Sequence, residues 1–330
     1  MNDTNIILEK NILATIVYYD ILDYPLTAFE LWKYLIVEME IRSPSGRSNL
    51  QTLGNIIEAL ESKEIKKYIE EYRGFYFLEG RKNLVEKRIQ NDKNSIAKFK
   101  IAERVAWWLR FVPFVRMVAV TGTLAMKNPE QNSDIDYFMV LEKDRIFTGR
   151  LLVTAMVHFL RKRRYGKKIK NRICLNYFIT TRSLEIQRQD LFAANEYSFV
   201  YPLFGFNVFQ KFCETNLDWI SKFKPNWEAP EIEPAKYYLE HSKASRFVQK
   251  TKETLINFLG GDIIEAWLKR HQIARILRNP LTKKEGAYIE ATDENLIFLP
   301  EPQGVRIYEE YDKRLNELTS SGVVYDESFN

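Results

Sequence analysis

The chain has 330 residues, 45% of them hydrophobic and 28% charged, and its 49 Lys and Arg against 44 Asp and Glu give a formal net charge of +5. That is enough for two or three globular domains, and no apolar run reaches the ~18 residues that span a bilayer. With no signal peptide at the start, only two cysteines without metal-ligand spacing and three scattered histidines, the expectation is a reduced cytoplasmic protein with no membrane partner, no zinc site and no Ser-His-Asp triad.

Residues 1–80 predict a winged-helix-like domain. A first helix carries Leu8, Ile12, Leu13, Ile16 and Val17 at helical spacing. Thr27-Ala28-Phe29-Glu30 forms a capping box that opens a second helix, with Leu31, Trp32 and Leu35 inward. A third helix buries Leu50, Leu53, Ile57 and Leu60, and two strand-like runs, Ile65–Tyr72 and Phe75–Leu78, flank Arg73-Gly74 as a wing would. The exposed positions of the third helix, among them Ser48, Asn49, Gln51, Asn55, Glu58 and Glu61, are neutral to acidic. A helix that tracks phosphates wants Arg and Lys, so a protein-contact role is favoured over DNA binding, with Lys66, Lys67 and Arg73 keeping DNA open.

Residues 81–110 predict a basic connecting helix that packs Trp107 and Trp108 on the next domain. Residues 111–190 predict the core that carries chemistry. An apolar strand-type run, Met117–Val120, ends in Gly122-Thr123, and after a polar loop Ser133-Asp134-Ile135-Asp136 opens a second apolar run. Carboxylates one residue apart on a strand point to the same face, which is costly unless they bind a cation or meet fixed positive charge. The glycine just before leaves backbone N–H groups for anionic phosphate.

That pattern resembles the DNA polymerase beta-like nucleotidyltransferase superfamily, whose signature is a strand, Gly-Ser, a short helix and Asp-x-Asp on the next strand. The resemblance spans about residues 111–180. It implies an α+β fold: a nucleotidyltransferase-type mixed sheet with helices, here preceded by the winged helix and followed by a mainly helical domain over residues 191–330. Gly122 and Thr123 match the Gly-Ser pair, and Asp134 and Asp136 match the catalytic, metal-binding acids. Gly122, Thr123, Lys127 and Ser133 become nucleotide-binding candidates, and Mg²⁺ or Mn²⁺ the cofactor. Three positions depart from the pattern. Thr123 replaces Ser but keeps the hydroxyl, and Lys127 stands where relatives often carry a second glycine. On the strand Arg172–Ile179, where active members place a third carboxylate, the central polar residue is Asn176, which ligates a metal through its carbonyl but cannot accept a proton. Glu185, Asp190 and Glu196 lie downstream, and any of them is open as a substitute.

A helix over about 146–162 leads into RKRRYGKKIKNR, where eight of the twelve residues from Arg161 to Arg172 are basic. If that helix is a crossover between parallel strands, the loop borders the cleft and is suited to a triphosphate, RNA or another polyanion. Farther on, Gly260-Gly261-Asp262 reads as a helix stop followed by an N-cap, and residues 288–300 as a short hairpin. The leading expectation is transfer of NMP from an NTP, ATP among the four, to an unidentified hydroxyl acceptor with pyrophosphate release. The alternative is a catalytically weak regulator that senses a nucleotide or binds nucleic acid through the winged helix.

Overall fold

The computed structural model describes residues 3–37, 51–233, 236–240 and 242–318. It is a mixed α+β protein with a three-stranded antiparallel sheet and a six-stranded mixed sheet.

The N-terminal unit packs helices around the small antiparallel sheet. These are α1 (Asp3–Ile21), β1 (Leu26–Thr27), α2 (Ala28–Lys33), α3 (Leu53–Leu60), β2 (Ile69–Tyr72) and β3 (Phe75–Leu78). The capping box is formed: Glu30 N–H donates to the Thr27 hydroxyl oxygen, and Thr27 N–H donates to the Glu30 carboxylate. Arg73 and Gly74 both adopt positive φ, which twists the β2–β3 hairpin in the sense its strands require. Two details differ from the sequence reading. Residues Ile65–Lys67 form a 3-10 turn before the strand. The buried face of α3 is Ile56, Ala59 and Leu60, which leaves Ile57 exposed; Leu50, Ser48 and Asn49 lie outside the described residues.

Helix α4 (Asn83–Leu109) joins this unit to the large sheet. Its inward face is Phe99, Ala102, Val105, Ala106 and Leu109, so Trp107 and Trp108 fall on the outer face and are exposed rather than packed on the sheet. Nor are its cations all solvated. Buried Arg88 donates to the carbonyls of Met126 and Lys127 and to Tyr24 and Glu30.

The large sheet has the order β7-β4-β5-β6-β9-β8, built from β4 (Val115–Val120), β5 (Ile135–Leu141), β6 (Ile173–Thr180), β7 (Tyr201–Phe204), β8 (Tyr288–Ala291) and β9 (Asn295–Leu299). Only β5 and β6 are parallel, and α6 (Ile146–Phe159) makes the crossover that such a pair needs. The two central strands are apolar nearly throughout because helices cover both sheet faces. Val118, Val120, Tyr137 and Met139 pack with α4 and α6 on one face. Met117, Ala119, Phe138 and Val140 pack on the other with α7 (Leu191–Ser198) and α8 (Phe206–Phe223). The sheet therefore takes three strands from beyond residue 190: β8 and β9 form the hairpin expected over 288–300, while β7 lies where the sequence predicts helix. The remaining helices are α5 (Gly122–Ala125), α9 (Lys243–Phe258), α10 (Gly261–Leu277) and α11 (Gln303–Leu318), the last packed against the N-terminal unit through Ile307 and Tyr311.

Candidate active site

The site forms where β4 ends and β5 begins. Thr121 N–H donates to the carbonyl of Asp136 at 3.1 Å, which ties the two strand ends together. The chain then turns into the one-turn helix α5 through Gly122 at φ +65, a conformation that strains any residue with a Cβ. A Cβ there would also lie 3.0 Å from Oδ2 of Asp136, so the turn and the carboxylate are packed as closely as glycine allows. Lys127 has φ +55, in the left-handed region that glycine occupies freely.

Asp136 shares the sheet face of Phe138 and Val140, so it points toward α7. Asp134 lies one pleat earlier, and the two carboxylates and the thiol of Cys174 offer ligand atoms all within 4.8 Å of one another. The register explains the thiol: Cys174 is the partner of Asp136 across the β5–β6 pair. It accordingly stands beside two acids and accepts a hydrogen bond from Arg164 at 3.5 Å, although the cysteine spacing in the sequence suggests no ligand role. Asn176 sits in the following irregularity, where β6 carries one more residue than β5 between the Asp136–Cys174 and Phe138–Tyr177 pairs.

Of the three downstream carboxylates, the structure brings Glu196 to the turn. Its Oε1 accepts the N–H of Gly122 at 2.7 Å. Asp190 caps α7 by accepting from Ala193 N–H and pairs with Arg188, and Glu185 is exposed beside Gln189. Burial raises the Glu196 carboxyl above the usual range, partly offset by its hydrogen bonds from Gly122 and Thr121. Burial also pushes Asp136 up to about 7, helped by the charges of Asp134 and Glu196 and opposed by Cys174 and Arg164. The same surroundings lift the Cys174 thiol to about 12, burial first and the two aspartates next.

Positive charge meets the acids from the basic loop. Arg164 Nη1 lies 2.5 Å from Oδ2 of Asp134, and its backbone is held by an N–H to the Ile173 carbonyl. Lys98 of α4 reaches the Ser133 carbonyl at 2.6 Å and the Asn171 side chain at 2.9 Å, clamping the Asp134 turn to the end of the loop. The Ser133 hydroxyl donates to the Glu130 carbonyl, while Thr123 and Lys127 are exposed at the mouth. Three cations of the N-terminal 3-10 turn and hairpin are paired, Lys66 with Glu61, Lys67 with Glu64 and Arg73 with Glu86.

The donor set fits a hard divalent cation. A pair of carboxylates is a donor set that Mg²⁺ takes, with waters and phosphate oxygens completing its shell, and the charge of Asp134 adds to burial in raising Asp136. A thiol held protonated adds no anionic ligand for a hard ion.

No family model, no curated protein and no solved structure matches this chain.

Proposed function

We propose that the chain is an Mg²⁺-dependent nucleotidyltransferase with a nucleotidyltransferase-type core, moving NMP from an NTP to a hydroxyl acceptor. The observation that carries this reading is the packing of the Gly122 turn against Asp136, with Asp134 beside it. A glycine turn thus lies against two close carboxylates, which supports a phosphate at the turn and a divalent cation at the acids.

In this reading Asp134 and Asp136 hold the metal, which supplies charge for the transferring phosphoryl group when bound. Gly122 and Thr123 orient the phosphates, with Lys127 and the ammonium and guanidinium groups of Arg161–Arg172 at the mouth to receive their outer charge. The acceptor oxygen bonds to the α-phosphorus as the bond to the pyrophosphate leaving group breaks. Glu196, with its raised affinity for protons, takes the acceptor's proton. Arg164 sits on Asp134 where positive charge is required, and it is free to move to phosphate once the acids are otherwise neutralised. RNA or another polyanion suits the loop as acceptor. The neutralised hairpin cations and the acidic outer face of α3 favour a protein over DNA as partner of the N-terminal unit.

One observation favours the second reading, a catalytically weak nucleotide sensor: the Gly122 N–H is already satisfied by Glu196, so a phosphate must displace that carboxylate to use it. Incubation with α-labelled NTP, Mg²⁺ and total RNA or protein tests the two. Label on an acceptor that disappears with Asp134→Ala/Asp136→Ala supports the transferase; metal-dependent NTP binding without transfer supports the sensor.

A further inference from the structure

The helical hairpin α9–α10 carries an apolar surface that no other element among the described residues covers. Phe247, Leu255 and Phe258 of α9, Leu259 at its end, and Ile263 and Trp267 of α10 are all more than half exposed, with Phe258 at 85% and Ile263 at 77%. At 100° per residue, Phe247, Leu255 and Phe258 share a narrow arc of α9, turned away from the side on which Ser245 and Gln249 are buried. Gly260, at φ +87, makes the sharp corner between the helices and presents Phe258, Leu259 and Ile263 together at its tip. The three aromatic rings together expose on the order of 400 Å², and apolar area of this size on one face is often functional.

The charges beside this surface select its partner. Lys243, Arg246 and Lys250 line one edge of the apolar arc, all exposed, and Arg270 follows on α10. The hairpin's three carboxylates do not balance them. Glu253 is turned inward to Arg116 and the Phe114 N–H. Glu265 caps the start of α6 through the N–H groups of Phe147 and Thr148. Asp262 is paired with Arg145. The outer face is thus apolar and cationic at once, the pattern of a helix that lies in a lipid interface. Bases of a nucleic acid stack on aromatic rings but leave the aliphatic Leu255, Leu259 and Ile263 uncovered, and a second copy would set one cationic edge against another.

We infer that the α9–α10 hairpin docks the protein on a membrane surface rich in anionic lipid, with Phe258, Leu259 and Ile263 entering the headgroup region and Lys243, Arg246 and Lys250 meeting lipid phosphate. The sequence expectation of no membrane partner weighs spanning segments only, and an interfacial hairpin needs none. Docking in this way leaves the candidate active site accessible. The hairpin meets the sheet at Phe114, Val115 and Arg116, the end of β4 opposite to Thr121 and Asp136.

Flotation of the full chain with vesicles tests this. Vesicles of phosphatidylcholine and phosphatidylglycerol at about 3:1 should carry the protein upward at low salt, while phosphatidylcholine alone should not. Phe258→Ser/Ile263→Ser and Lys243→Glu/Arg246→Glu/Lys250→Glu should each lower partitioning by about tenfold or more. All five positions are exposed, so the variants should melt with the wild type. Absence of flotation, or flotation unchanged in a folded variant of either kind, overturns the inference. So does a wild-type dimer in sedimentation that Phe258→Ser/Ile263→Ser dissociates, because it would assign the face to a second copy.

Discussion

The backbone N–H of Gly122 donates to Oε1 of Glu196 at 2.7 Å, joining the turn after β4 to a carboxylate on α7. The charge of Glu196 in turn helps raise Asp136, so a carboxylate from a distant helix acts on the same small volume as the β4–β5 strand ends. Replacing Glu196 by Gln keeps an acceptor for Gly122 and removes only the charge and the basicity. If Glu196 takes the acceptor's proton, Glu196→Gln should lower kcat by about 10²–10⁴-fold and leave NTP binding within a few fold. Single-turnover transfer alongside equilibrium NTP titration separates these effects; a variant with unchanged kcat removes Glu196 from that role.

Gly122→Ala should be costly in two ways. A left-handed backbone strains the new residue by about 1–2 kcal/mol, and the added Cβ presses on Oδ2 of Asp136. Thermal unfolding should show the loss of stability. Mn²⁺ titration should show weakened binding, because the methyl forces Asp136 away from Asp134. A variant that binds Mn²⁺ as the wild type does would mean that the close approach of turn and carboxylate is not needed for the cation.

The carboxyl of Asp136 sits near 7 when folded and near 3.9 unfolded. Its favourable contribution is therefore complete below about pH 4 and is lost as pH rises through about 7. Asp136→Asn should match the wild type in stability at pH 4 and exceed it at pH 8, by on the order of a few kcal/mol. Metal affinity should move the opposite way, rising from pH 6 to 8 as the carboxylate forms. Melts of both proteins across that range, with and without Mg²⁺, check the sign; a pH-independent difference would contradict it.

Lys224 is fully buried, with Nζ 2.7 Å from the Tyr19 hydroxyl and 2.7 Å from the Asn195 side-chain oxygen. Burial lowers its affinity for protons well below the ordinary lysine range. Between that lowered value and about 10.4 the unfolded chain binds the extra proton, so the cost of burying Lys224 shrinks as pH rises. Lys224→Met leaves the Tyr19–Asn195 hydrogen bond in place and should stabilise the fold more at pH 7 than at pH 9.5. Chemical denaturation at the two pH values reads this directly, and a gain that grows with pH would contradict it.

The acid pair was legible in the sequence because it rests on local rules: Asp134 and Asp136 share a face through the two-residue period of a strand, and Gly122 marks a turn. The capping box at Thr27 and Glu30 was legible for the same reason. Contacts set by register or by distant packing were not. Cys174 reaches the site because β6 aligns it with Asp136, and the spacing of apolar residues around it carries no trace of that alignment. Glu196 arrives through α7, whose placement depends on the core it shares with α8. Trp107 and Trp108 show the opposite failure. Their apolar character suggested burial, but the helical phase set by Ala102, Val105 and Leu109 turns them outward. The β8–β9 hairpin was legible over residues 288–300 because its two strands are neighbours in the chain, but the pairing of β7 with β4 and of β9 with β6 joins distant segments, beyond the reach of local pattern.

The most direct test of the central claim is pyrophosphate release from each of the four NTPs with Mg²⁺, in wild type and Asp134→Ala/Asp136→Ala, with total RNA as acceptor. Release with at least one NTP that the double substitution abolishes, while the variant remains folded, is the predicted result. Tight metal-dependent NTP binding with no pyrophosphate from any of the four would contradict the transferase and leave a nucleotide sensor.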